Sequence, residues 1–195
     1  MGIFGENYKD IWEHFANENN YNFEKGTLFH LTEITDSKSP WKSIIAPYIV
    51  STGKSSTYYT AVYSYFRLIR PLNFKILHGT FLSRLWEMFG TEYIKTGYED
   101  FDNEYRVKCK NDVETVKQLL RHNEQLRSNL IIMGNCRLYF DWSHMFSHFS
   151  PENGQNCLFL YFYGLTKDFE MLKLLFQTTN IILQFLYEKG YIEKI

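Results

Sequence analysis

The stretch from Thr166 to Lys189 constrains this chain more than any other. Leu172, Leu175, Phe176, Thr179, Leu183 and Leu186 recur at helical spacing and make one apolar stripe about six turns long. Thr166 is the expected N-cap, Asp168 and Glu170 suit a first helical turn, and Lys189-Gly190 marks the exit. A helix this long and one-sided has to bury its stripe against a partner surface, and the preceding chain supplies a sheet.

Strand patterns fall at about 27–34, 41–50, 57–69 and 73–80. The segment Tyr58-Tyr59-Thr60-Ala61-Val62-Tyr63-Ser64-Tyr65-Phe66 is dense in aromatic and β-branched residues. Turn residues separate the candidates at Asp36–Pro40, around Gly53 and at Arg70-Pro71-Leu72-Asn73. Connections this short imply antiparallel hairpins, and the imperfect alternation implies strands covered on both faces. Ahead of them Tyr8, Ile11, Trp12 and Phe15 share a helical face that ends at Asn19-Asn20. Further on, the pattern predicts a helix at 81–89, a strand near 101–109 and a helix from Asn111 or Asp112 to about 122. Strands are then expected at 129–133, 136–142 and 157–163. The expected fold is α+β: one domain over 1–195, a mainly antiparallel twisted sheet with helices packed on one face, and a long C-terminal helix.

Composition agrees with a packed core. Of 195 residues 45% are apolar, and the 18% that are aromatic, with 15 Tyr and 17 Phe, bring large buried area. A net charge of −1 gives no global field toward nucleic acid or an anionic membrane. Cys109, Cys136 and Cys157 are odd in number and widely spaced, the N-terminus lacks a signal-peptide pattern, and no apolar run approaches the roughly 18 residues of a membrane span. A reducing, cytoplasmic setting is the simplest reading.

The motif tests return no catalytic signature. Gly53-Lys54-Ser55-Ser56 ends like a P-loop, but Tyr48 stands where the first glycine belongs and a strand pattern follows, so a hairpin turn is expected. Asp100, Asp102 and Glu104 mimic the start of a calcium loop, but Tyr105 and Asn111 replace its glycine and its final glutamate; a solvated strand edge is expected. His144 and His148 are four apart, but Met145 stands where a zincin needs its glutamate, so no metal and no cofactor is assigned. No GxSxG occurs, and the cysteines read as buried thiols. Basic residues thicken from Arg106 to Arg127 through Lys108, Lys110, Lys117 and Arg121, diluted by Asp112, Glu114 and Glu124. Without an RNP motif they read as a solvated helix face, and no nucleic acid is expected.

Several segments nonetheless resemble an uncharacterised family of bacterial proteins of similar length. They are Phe4-Gly5 with Ile11-Trp12, the run from Ser51 to Thr60, Phe101-Asp102 with Val107-Lys108 and Asn111-Asp112, and Leu165–Leu175 with Asp168 and Glu170. Ala61 departs from that pattern, where a basic residue is expected. The resemblance implies a bacterial, cytoplasmic, single-domain protein and carries no activity or site.

Three functional expectations follow. The first is a non-catalytic intracellular binding or interaction protein with a protein partner, supported by the aromatic surplus. The second is a carrier of a small apolar ligand between sheet and long helix. The third is an unrecognised enzyme, a hydrolase using the 136–148 region. No membrane association is expected, and a homodimer is compatible with the pattern. Asp141, His144 and His148 are the candidate polar cluster, and Tyr59, Tyr63, Phe66 and Trp41 are expected to fill the core rather than line a pocket.

Overall fold

Every strand pair among the described residues is antiparallel, and alternate residues divide between two faces with different partners. A computed structural model describes residues 7–27, 30–79, 93–141, 151–152 and 154–195. Helix α1 (Tyr8–Asn19) buries Trp12, Phe15 and Ala16 and stops at Asn20, which adopts the left-handed conformation. Strands β1 (Asn22–Glu24), β2 (Glu33–Asp36), β3 (Lys42–Ser51) and β4 (Ser56–Leu68) then form a meander. Gly53, at φ +81°, turns the β3–β4 hairpin, and Thr52 N–H donates to Ser55 O. The Gly-Lys-Ser-Ser stretch is that turn.

The second half of the chain adds β5 (Phe74–His78), α2 (Glu99–Glu104), β6 (Tyr105–Cys109), α3 (Val113–His122), α4 (Glu124–Met133), β7 (Cys136–Tyr139), β8 (Asn156–Tyr163), α5 (Phe169–Glu188) and β9 (Ile192–Glu193). Among the described residues the strand order is β1-β2-β3-β4-β8-β7-β5-β6, with β9 pairing the end of β4. This is an α+β fold with an open antiparallel sheet.

Helices α1, α3, α4 and α5 pack on one face of the sheet. Ile45, Val62, Phe66, Ile76, Leu138, Leu158 and Leu160 meet Leu172, Leu175, Phe176, Ile182, Leu183 and Leu186 of α5 there. The opposite face carries a second buried cluster: Ile44, Ala46, Tyr48, Ala61, Tyr63, Tyr65, Cys157 and Phe159. The central strands are therefore buried on both sides, which is why their alternation is imperfect in the sequence. Trp41 and Phe66 lie on the helical side, whereas Tyr59 and Tyr63 lie on the other.

Five sequence expectations need correction. Residues 129–133 are helical: Leu126, Leu130 and Met133 sit at i, i+4 and i+7 and are buried on one face of α4. Residues 99–104 form α2 rather than the start of a strand. Phe101 and Tyr105 are four apart as well as alternate, and their rings stack at 5.1 Å. Asp102 is not on a strand edge; its carboxylate accepts from Thr96 N–H, Thr96 Oγ1 and Gly97 N–H. The early strand lies at Glu33–Asp36, not across 27–34.

Helix α5 starts at Asp168, whose Oδ1 accepts from Glu170 N–H at 2.8 Å. Thr166 lies two residues before that cap, and its Oγ1 accepts from Asp168 N–H at 3.2 Å. Its N–H donates to Thr60 Oγ1 at 2.9 Å, and Trp12 Nε1 donates to its carbonyl at 2.9 Å. The expected helix at 81–89 lies outside the described residues. Among the described residues no helix is long and apolar enough to cross a membrane.

Leu183 is fully buried between α5 and the sheet. Replacing it with alanine is expected to lower unfolding free energy by about 2–5 kcal/mol in a urea titration. A loss smaller than about 1 kcal/mol would mean that the α5 stripe is not the sheet's main cover.

Candidate functional site

The ladder that builds the sheet also aligns a row of side chains on the face away from the helices. Residues directly opposite one another point the same way. Lys108 pairs with Lys75, Lys75 with Tyr139, Tyr139 with Phe159, and Phe159 with Tyr63. The row therefore reads charge, charge, then ring after ring toward the sheet centre. Ile94 bridges Val107 at the outer edge of β6, so Tyr93 and Lys95 alternate onto the face that carries Lys108. Lys108 Nζ lies 4.7 Å from the centroid of the Tyr93 ring.

Where β5 starts and β6 and β7 end, a concavity of about 1070 Å³ opens. Lysines 75, 95, 108, 110 and 117 line it, against one described carboxylate, Asp141. Tyr93, Tyr139, Phe74 and Phe140 add aromatic surface, and Val113 joins Lys117 as the wall from α3. None of the five lysines forms an ion pair with a described carboxylate. Two of them, Lys75 and Lys108, sit directly opposite in adjacent strands, where like charges destabilise a sheet. Like charges held together with no described carboxylate paired to them are the arrangement an anion completes.

The lining is locally fixed. Lys110 N–H donates to Asn73 O, and Phe140 N–H to Phe74 O. Phe140 is stacked between Phe66 and Phe74, at 4.7 and 5.0 Å. Asp141 takes the left-handed conformation at φ +59°, and its Oδ1 accepts from Asn156 Nδ2 at 2.7 Å. That carboxylate therefore ends β7 and braces the start of β8.

The structure brings together part of what the sequence singled out. Asp141 lines the concavity, while His144 and His148 lie outside the described residues. Of the basic run, Lys108, Lys110 and Lys117 reach the concavity, and the arginines serve the fold instead. Arg106 donates to Asp102 O at 2.7 Å and Arg121 Nε to Thr96 O at 2.9 Å. Arg127 donates to the carbonyls of Leu120 and Arg121 and stacks its guanidinium 3.5 Å from the Tyr98 ring centroid. Lys75, Lys95 and Tyr93 were missed. Their signal is a cross-strand register that brings Lys75 opposite Lys108 and Ile94 opposite Val107, beyond the reach of a local motif. Among the described residues no group of three His, Cys, Asp or Glu side chains could hold a metal ion.

Between α5 and the sheet, the place expected for an apolar ligand, Leu172, Leu175, Phe176, Ile182, Leu183 and Leu186 pack into the core with at most 2% exposure. None of these residues lines the large concavity. No protein-family model, no curated protein and no solved structure matches this chain.

Two of the three cysteines are sealed. Burial pushes the thiols of Cys136 and Cys157 up to about 12, which keeps them protonated and unreactive at neutral pH. Cys109 is half-buried at the edge of the concavity, with its thiol bonded to Asn111 O. A disulfide thiol reagent at pH 7 is expected to modify Cys109 in the folded protein and the other two only after denaturation. Equal modification of all three in the native state would contradict this burial.

Proposed function

We propose that this protein is a non-catalytic binding protein for a phosphate-rich anionic ligand held at the lysine-lined end of β5, β6 and β7. The observation that carries the reading is the convergence of five lysines on one concavity in a chain whose net charge is −1. The rest of the chain more than balances those charges, so the positive field is local and directed. Phosphate groups are compact, multiply charged and good hydrogen-bond acceptors, and lysine ammoniums meet them as point charges. The volume matches a small molecule rather than a single inorganic ion.

No described histidine lines the concavity, and its one described carboxylate is already engaged, so the reading stops at binding. Asp141 is engaged by Asn156 and serves as a structural brace at the rim. The concavity is a different place from the sheet–helix interface, and its lining favours charge over an apolar ligand.

The test has two readouts of opposite sign. With inorganic tripolyphosphate as probe, Lys75→Gln is expected to weaken binding by about tenfold, the loss of one charge-assisted contact. The same substitution removes the Lys75–Lys108 opposition, so the free protein is expected to gain a few tenths of a kcal/mol in stability. Affinity is also expected to fall steadily as salt is raised. Tripolyphosphate binding that is undetectable, or indifferent to both salt and Lys75→Gln, would overturn the reading.

A further inference from the structure

The cross-strand row does not end at the lysines. Next to Lys75, on the neighbouring strand and the same face, stands Tyr139, and behind it lie Phe159 and Tyr63. The Tyr139 ring is near-parallel to the ring of Tyr161, at 6° and 6.3 Å, and to that of Phe159, at 27° and 6.4 Å. Arg137, two residues back on β7, shares the face of Tyr139 and stands directly opposite Tyr161 on β8. Tyr48 and Tyr59 stack at 5.5 Å and both meet Tyr161 edge-on, which backs the layer from the far side. Tyr139 thus belongs to an ordered aromatic layer, and it is also part of the concavity lining. Tyr93, held under Lys108 Nζ, lines the same concavity from the edge of β6.

Strands in a sheet are about 4.8 Å apart, so Lys75 and Tyr139 leave the same face one strand spacing from each other, and both line the concavity. A ligand that fits both parts has a polyphosphate at one end and a planar aromatic group at the other. Resting on the anion-binding reading above, we infer that the ligand is a nucleoside polyphosphate. Its phosphates sit among Lys75, Lys108 and Lys110, and its base sits against Tyr139. The five lysines are confined to one concavity, which suits a short phosphate chain. A polynucleotide needs cations spread along a track, and the net charge of −1 leaves little for one.

Calorimetry on the intact chain in the absence of divalent cations compares three probes: inorganic tripolyphosphate, ATP and a short oligothymidylate. ATP is expected to bind about tenfold tighter than tripolyphosphate, the contribution of one stacked base. Tyr139→Leu, which keeps apolar volume but removes the ring, is expected to abolish that preference and leave tripolyphosphate affinity within about twofold. Circular dichroism establishes that the variant is folded, and Tyr139→Phe, which keeps the ring, is expected to retain the preference. Equal binding of ATP and tripolyphosphate, or a preference that survives Tyr139→Leu, overturns the nucleoside assignment while leaving the anion site standing. Oligothymidylate binding tighter than ATP overturns it in favour of single-stranded nucleic acid. Failure of all three probes overturns both this inference and the reading beneath it.

Discussion

The pairing of β4 with β8 is the joint on which the rest of this structure depends. β4 holds β3 along ten paired residues on one side and β8 from Thr60 to Phe66 on the other. One side belongs to a local meander, and the other reaches across about a hundred residues of chain. Everything beyond that joint, β7, then β5, then β6, hangs from β8 in register. A slip of one residue would turn Tyr63 and Tyr65 toward the helices and Val62 and Phe66 away from them. Because both faces of β4 are buried, such a slip would misplace large side chains on each of them, so the register is strongly specified.

The helical face then follows from the same joint. α5 lays its stripe across β3, β4 and β8, and α4 packs beside it, where Asn129 donates to Thr178 between the two helices at 3.2 Å. Thr60 on β4 bonds Gly164 O and receives Thr166 N–H, so the central strand also sets where α5 can begin. After α5 the chain returns to β4 through β9, with Ile192 opposite Leu68. The long helix is thereby fastened to the central strand at both ends.

Local patterns carried much of this fold in the sequence. The β3–β4 hairpin, α1, α3 and the α5 stripe all show their period and their stops within a dozen or two residues. Mistakes fell where one set of residues satisfies two periods, as with Phe101 and Tyr105, or where two residues of capping type stand two apart, as Thr166 and Asp168 do, and the local pattern does not say which of them starts the helix. The candidate site was less legible for a related reason. Lys75 and Lys108 become neighbours through β5–β6 pairing, and neither lies in a local motif. Net charge concealed the cluster, since carboxylates offset it in the total while Asp141 is the one described carboxylate in the lining. The basic run from Arg106 to Arg127 was visible, but only the structure divides it into lysines that face the concavity and arginines that satisfy helix and loop carbonyls.

The central claim is that the lysine-lined end of β5, β6 and β7 is where this protein meets its ligand. Amide chemical-shift mapping by NMR during a titration with a phosphate compound tests that most directly. The account predicts saturable shifts concentrated at residues 73–75, 93–95, 108–110 and 139–141 and at Lys117, with the buried face of α5 unmoved. Shifts scattered over surface lysines without saturation, or centred on α5 and its contacts with the sheet, would contradict it.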